Sequence, residues 1–251
     1  MQKTLITGAT GGIGLELARL MASKGHNLVL VARGSGKLAQ VKKNIIAEFG
    51  VSVATITQDL AAAGSAKAVY DKAKKQGVQI LVNNAGVGLQ GDFFKDSLAA
   101  NQQMAYLNMV SLMELTHLFG NDFIEKGQGR ILNVGSIAAF FPGPNQPVYY
   151  ATKAFVRSLS LALAYNLRGS GVTVTVLHPG TTKTGFFVAA GAPSFRQGAS
   201  PKAVAKTGYN AMMAGKVEVT HGGLNKFLTN VLVRLIPYRW QVAMIDKASD
   251  V

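Results

Sequence analysis

Lys3-Thr4-Leu5-Ile6-Thr7-Gly8-Ala9-Thr10-Gly11-Gly12-Ile13-Gly14-Leu15-Glu16-Leu17-Ala18-Arg19-Leu20 opens the chain. It reads as an apolar strand, a glycine-rich turn and a helix, in that order. Such a unit cradles phosphates. Gly8 lets the chain turn tightly off the strand, and Gly12 removes a side chain so that backbone can approach a pyrophosphate. Gly14 lets the helix pack closely on the sheet, and the helix N-terminus offers free N–H groups and the positive end of its dipole. With Gly11 present, two spacings fit: Gly8, Gly12, Gly14 or Gly8, Gly11, Gly14. Glycine is abundant here (28 residues), so the motif gains weight only from its surroundings.

Outward from that unit, apolar β-branched runs alternate with helical patterns. The expected strands are Lys3–Thr7, Asn27–Ala32, Val51–Thr57, Ile80–Asn83, Arg130–Val134, Val172–Leu177 and Val217–Thr220. The expected helices are Gly12–Lys24, Gly36–Phe49, Ser65–Gln76, Asn101–Lys126 and Val148–Arg168. The alternation predicts an α/β, Rossmann-type, doubly wound parallel sheet of about seven strands with helices on both faces. The 251 residues show no internal repeat and no linker of biased composition, so a single domain, 1–251, is expected. Ligands of such sheets bind beyond the carboxyl ends of the strands. Polar, glycine or proline signals stand at those ends: Arg33, Asp59-Leu60, Asn83-Asn84-Ala85-Gly86, Gly135-Ser136 and His178-Pro179-Gly180.

Composition narrows the chemistry. Hydrophobic residues make up 48% and charged residues 15%, which fits a well-buried globular chain. The absence of cysteine excludes disulfides, thiolate metal sites and a cysteine nucleophile. The four histidines, His26, His117, His178 and His221, share no ligand spacing, so no metal is expected, and His178 reads as structural. The net charge of +14 suits an anionic cofactor or substrate, an acidic membrane surface or nucleic acid. The basic residues are dispersed, and none interleave with aromatics as base-stacking surfaces require, so no nucleic-acid partner is expected. Met1-Gln2-Lys3 leads straight into a strand, and no apolar run reaches the length of a membrane span. Cytoplasmic residence is therefore the expectation.

Tyr149-Tyr150-Ala151-Thr152-Lys153 places Tyr149 and Lys153 four apart, on one face of a helix. An ammonium beside a phenol favours the phenolate and brings the tyrosine down from about 10, towards general acid–base work at neutral pH. Ser136, at a strand end, places a hydroxyl where it can bond a carbonyl oxygen gaining negative charge.

The glycine motif, Asn83-Asn84-Ala85-Gly86, Asn108, Ser136, Tyr149, Lys153 and Pro179-Gly180-Thr181-Thr182-Lys183-Thr184 follow one another as in the short-chain dehydrogenase/reductase family. The chain resembles its compact single-domain branch from Lys3 to about Thr184. The resemblance implies that Tyr149 moves a proton at the substrate oxygen, with Lys153 lowering its pKa and holding the nicotinamide ribose. It implies that Ser136 polarises the carbonyl and Asn108 anchors a water behind Lys153. The glycine loop, with Thr10 and Gly11, would hold the phosphates, and Ile13 would touch the nicotinamide. Asp59 and Leu60 would flank the adenine, and Asn84, Ala85 and Gly86 the adenosine. Pro179, Gly180, Thr182 and Thr184 would hold the carboxamide end.

Cofactor choice is argued from the second strand end, Val31-Ala32-Arg33-Gly34-Ser35-Gly36-Lys37. No acid stands there to accept from a ribose 2′-hydroxyl, whereas Arg33, helped by Ser35 and Lys37, suits a 2′-phosphate. NADP(H) is expected, and with it reduction of a carbonyl. The residues from Gly185 to Phe195, part of an expected lid over about 185–200, supply phenylalanines as an apolar ceiling for an apolar ketone or 3-oxoacyl-type substrate. Beyond it, Leu224, Phe227, Leu228, Val231, Leu232 and Leu235 form one helical stripe in a tail over about 224–249, interrupted by Pro237. The tail resembles that of uncharacterised or acyl- and steroid-directed reductases. Three readings remain open for it: covering the cleft, packing in a dimer, or lying on a membrane with Lys226, Arg234 and Arg239 at the headgroups. The usual Asp-Gly-Gly turn after the last strand is missing, so a homo-oligomer is expected as a dimer rather than a tetramer. Two other functions stay in view: an NAD-dependent alcohol dehydrogenase and a catalytically silent nucleotide sensor.

Overall fold

The computed structural model describes residues 2–191 and 198–249. Seven parallel strands form one sheet in the order β3-β2-β1-β4-β5-β6-β7: β1 Lys3–Thr7, β2 Asn27–Ala32, β3 Val53–Thr57, β4 Ile80–Asn83, β5 Gly129–Val134, β6 Val172–His178 and β7 Glu218–Thr220. Thr4 pairs with Leu28 on one side and Ile80 on the other, so β1 is central. The order reverses there: β2 and β3 lie to one side of β1, and β4 to β7 to the other. That reversal opens a crevice at the strands' carboxyl ends.

Both sheet faces are covered, so the strands read as continuous apolar runs whose side chains still alternate. In β1, Ile6 faces a core built with Leu17, Met21, Leu38, Ile45 and Met212. Leu5 faces the other, built with Val69, Leu115, Phe119 and Phe123. The first core lies under α1 Gly12–Ser23, α2 Ser35–Phe49 and α8 Pro201–Met213. The second lies under α3 Ser65–Ala73, α5 Ser111–Glu125, which continues α4 Leu98–Ala105, and the end of α6 Pro147–Asn166. Each fully buried side chain of the Leu or Phe kind contributes roughly 2 kcal/mol.

Three features differ from the sequence expectation. The long central helix begins earlier, at Leu98, where the Ser97 hydroxyl accepts from the Ala100 N–H at 3.4 Å. It also widens into a π turn over Tyr106–Val110. Helix α8 was not anticipated: Pro201 occupies its first turn, and Val204, Ala205, Gly208, Ala211 and Met212 are buried. Past β7 the expected tail is helical: α9 Gly223–Phe227, a π turn Leu228–Leu232, α10 Val233–Leu235 and α11 Tyr238–Ser249. Of the expected lid, α7 Phe186–Ala189 is a short helix, and 192–197 lie outside the described residues. Among the described residues no helix is long and apolar enough to cross a membrane.

Candidate active site

The crevice holds two adjoining cavities. The larger, about 440 Å³, runs from the glycine loop past Ser136, Tyr149 and Lys153 to Phe186 and Phe187. The smaller, about 150 Å³, lies between Thr10, Arg33, Asp59 and Leu60. Gly8, Ala85 and Gly86 border both. The site residues expected from the sequence line one or the other, except Gly14 and Asn108, which lie behind the wall, and Ser35 and Lys37, which border neither cavity.

The loop between β1 and α1 explains the glycine pattern. Gly12 has a positive φ of 53°, whereas Gly11 is extended, and a Cβ on Gly11 would meet no protein atom within 4 Å. Backbone conformation thus demands glycine at 12, as in the Gly8, Gly12, Gly14 spacing, while Gly11 simply keeps the cleft open. A Cβ on Gly14 would run into the Gly8 carbonyl and the Asn84 amide. Asn84 explains that crowding: its Nδ2 donates to the carbonyls of Thr7 at 3.0 Å and Gly8 at 3.2 Å. Thr7 answers with its hydroxyl oxygen, which accepts from the Asn84 and Ala85 N–H groups, each at 3.0 Å. The Thr7 role was not anticipated; its only sequence signal is its place as the last strand residue before Gly8.

Asn108 sits in the π turn and is 1% exposed. Its Oδ1 accepts from the Val87 N–H at 3.0 Å, and its Nδ2 donates to the Val87 carbonyl at 2.9 Å and the Thr152 hydroxyl at 3.1 Å. The Thr152 hydroxyl donates to the Tyr149 carbonyl at 2.7 Å. The side chain therefore clamps the β4 loop to the turn of α6 that carries Tyr149 and Lys153.

Ser136 follows β5, and its Oγ accepts from the Ala138 N–H at 3.1 Å, which leaves the hydroxyl proton free to donate. Lys153 is buried, and its Nζ donates to the Val134 carbonyl at 3.1 Å. Burial pulls the Lys153 ammonium down to about 8. Burial pushes the Tyr149 phenol up to about 12, against a hydrogen bond with Ser136 that pulls it down. The Lys153 Nζ lies 5.7 Å from the Tyr149 ring centroid. Burial outweighs the Ser136 hydrogen bond, and no lowering by Lys153 accompanies it, so the phenol form is favoured in this structure.

Beneath Ser136 lies a polar cluster that the sequence did not reveal. His178 is fully buried; its Nδ1–H donates to the Ser136 carbonyl at 3.0 Å, and Nε2 faces Glu218 Oε1 at 2.9 Å. Arg157, one turn beyond Lys153 on α6, donates to the same Glu218 oxygen at 2.7 Å and stacks 4.4 Å over Phe140. Burial pushes the Glu218 carboxyl up, but hydrogen bonds from His178 and Arg157 outweigh it and hold it down at about 2. His178 thereby ties the Ser136 backbone to Glu218.

The residues present fit a dinucleotide. A Cβ on Gly86 would stand 3.1 Å from Asn108 Oδ1 and 3.6 Å from Lys153 Nζ, so the missing side chain opens space above the ammonium. The N-terminus of α1, without a side-chain cap, faces the same cleft. Arg33 is exposed at the smaller cavity, and no acid stands in the first turn of α2. At the other end the Phe186 ring lies 5.6 Å from that of Tyr149.

Residues 2–193 match the family model described as short chain dehydrogenase. The chain is 33% identical to the ketoacyl reductase HetN of Nostoc sp. over 220 residues, 86% of this chain and 76% of that protein. It is 33% identical to a very-long-chain 3-oxoacyl-CoA reductase of Rattus norvegicus over 211 residues, 81% of this chain and 64% of that protein. A short-chain dehydrogenase from Sphingobium yanoikuyae, solved in complex with NADPH, superposes with a TM-score of 0.85 at 28% identity, covering 99% of this chain and 93% of that one.

Proposed function

The chain belongs to the short-chain dehydrogenase family of nicotinamide-dependent oxidoreductases, and from that premise we propose an NADP(H)-dependent carbonyl reductase acting on an apolar ketone or 3-oxoacyl-type substrate. The observation that carries this reading is one cleft in which Ser136, Tyr149 and Lys153 meet an apolar wall of Ile137, Phe186 and Phe187.

The chain's own residues divide the work. The nicotinamide, when bound, supplies the hydride. The Ser136 hydroxyl, already fixed through the Ala138 N–H, donates to the substrate oxygen as charge develops there. Tyr149, held as a phenol, gives that oxygen its proton. Lys153 and the Gly86 opening lie where the ribose hydroxyls of the cofactor would be held. Within the expected lid of about 185–200, the described part is α7 Phe186–Ala189, which serves as the apolar ceiling, and the Lys183 N–H donates to the Ala199 carbonyl at 3.0 Å across the flanking chain. The ketoacyl and 3-oxoacyl-CoA reductases among the relatives support the acyl alternative for the substrate. NADP(H) rests on Arg33 and the missing acid, and the NADPH complex of the Sphingobium enzyme supports it. A cytoplasmic homodimer is the assembly proposed.

The test is loss of nicotinamide absorbance with NADPH across aliphatic, aromatic, steroid and 3-oxoacyl carbonyls, with Tyr149→Phe alongside. Turnover that falls at least about 100-fold in the variant, with NADPH still bound, is expected. Tight NADPH binding without turnover on any compound would replace the reductase with a sensor. Arg33→Asp is expected to cut the NADPH-to-NADH preference in kcat/KM by about tenfold or more. Unchanged preference would take the 2′-phosphate away from Arg33.

A further inference from the structure

The helical stripe of the tail divides between two faces. Leu228 and Leu232 turn partly inward and Thr229 is buried, whereas Leu224, Phe227, Val231 and Leu235 are exposed by 73, 53, 41 and 74%. Their spacing of three, four and four residues sets them on one side of the helix. Tyr238 and Trp240 follow at 66 and 72%. Single exposed apolar side chains are ordinary, but a continuous stripe marks a contact surface.

The charge of this stretch has one sign. Between Glu218 and Asp246 the chain has no acidic residue, and it carries Lys226, Arg234 and Arg239. All three are exposed, and among the described residues none is in an ion pair. The tail also adjoins the cleft. Asn225 packs against Gly180, and the Asn145 amide donates to Asp246 of α11 at 3.1 Å, one residue from Gln146 in the cleft wall.

We propose that this face docks on an anionic lipid surface, with Leu224, Phe227, Val231 and Leu235 entering the acyl boundary and Lys226, Arg234 and Arg239 meeting the headgroups. Tyr238 and Trp240, apolar rings with polar tips, suit headgroup level. A second copy of the chain fits this face poorly. A two-fold contact sets the same patch against itself, which brings three cations to three cations with no acid between them. The proposal leans on the reductase reading only for its consequence, entry of an apolar substrate from lipid. The binding itself stands without it.

Trp240, the only tryptophan of the chain, stands five residues beyond Leu235 and so reports on the tail alone. The full chain is mixed with vesicles of phosphatidylcholine, with and without phosphatidylglycerol, and read by co-sedimentation and by Trp240 emission. Expected are a blue shift and quenching by bilayer-brominated lipid with the anionic vesicles, weakening as salt is raised. Lys226→Gln, Arg234→Gln and Arg239→Gln each weaken partitioning by roughly fivefold. Leu224→Gln with Leu235→Gln abolishes it, while turnover of a water-soluble ketone is unchanged. Protein that stays in the supernatant with unshifted Trp240 emission overturns the proposal. So does emission already blue without lipid, coupled to a solution mass that halves in Leu235→Gln, because a second copy then covers the face. Both readouts are independent of turnover, so a protein that binds vesicles but reduces nothing would overturn only the reductase reading.

Discussion

Tyr149 and Glu218 show how single groups are set by what surrounds them. Burial keeps the Tyr149 hydroxyl protonated well above neutrality, with the phenol at about 12 and the Lys153 ammonium at about 8. Reductive kcat/KM should therefore be flat through neutral pH and fall only on the alkaline side, as Lys153 and then Tyr149 lose protons. A pH profile already falling below neutrality would mean a phenol acidified by Lys153, as the sequence alone suggests. Glu218 works the other way. Its carboxyl is held at about 2 in the folded protein against an ordinary 4.5, so folding favours its charged form. The stabilisation is fully present above about pH 4.5 and is lost as pH falls towards 2. Glu218→Gln should cost about 2 kcal/mol at neutral pH, the worth of hydrogen bonds to a charged group, and much less near pH 3. Urea midpoints at the two pH values test this, and an equal loss at both would remove the carboxylate's charge from the account.

At the scale of elements, the loop between β1 and α1 separates glycines needed for the fold from the one needed only for space. Gly14→Ala forces a methyl into the Gly8 carbonyl and the Asn84 amide, so the strand-to-helix turn must open. Gly11→Ala meets only the cleft. Thermal unfolding should drop by several degrees for Gly14→Ala and barely move for Gly11→Ala, while both weaken NADPH binding. An unfolding curve shifted equally by the two would show that both positions serve the fold. The sequence made this loop legible because strand, turn and helix are contiguous there. The strands were legible to within two residues, since their apolar β-branched runs are buried on both faces. Helix α8 was not, because Ala, Gly, Lys and Thr give it little apolar contrast, and packing on α1 and β6 decides its form. The π turn at Tyr106–Val110 leaves no sequence period of its own. The Ser136–His178–Glu218–Arg157 cluster joins β5, β6, β7 and α6, and no local pattern announces a contact spread across four elements.

For the whole molecule, the arrangement past β6 governs how copies can assemble. Strand β7 is three residues long and pairs only with β6, so it forms one edge of the sheet. A second sheet edge could in principle pair there, but so few residues offer few backbone groups. The chain leaves β7 through His221 and Gly222 into α9, where Asn225 packs against Gly180 at the rim of the cleft. The described tail meets the carboxyl-end rim through Asn225 at Gly180 and Asp246 at Asn145 rather than extending β7. We therefore expect no tetramer through the last strand, and a two-fold contact instead through the side bearing the long α4–α5 helix, where Met113 and Ile124 are exposed by 41 and 46%. Light scattering on the eluting protein should therefore give twice the 26.5 kDa chain mass, unchanged by Leu235→Gln and reduced to a single chain by Met113→Glu with Ile124→Glu. Four chain masses would restore assembly through β7. A two-chain mass lost on Leu235→Gln would move the interface to the tail and leave no face for lipid.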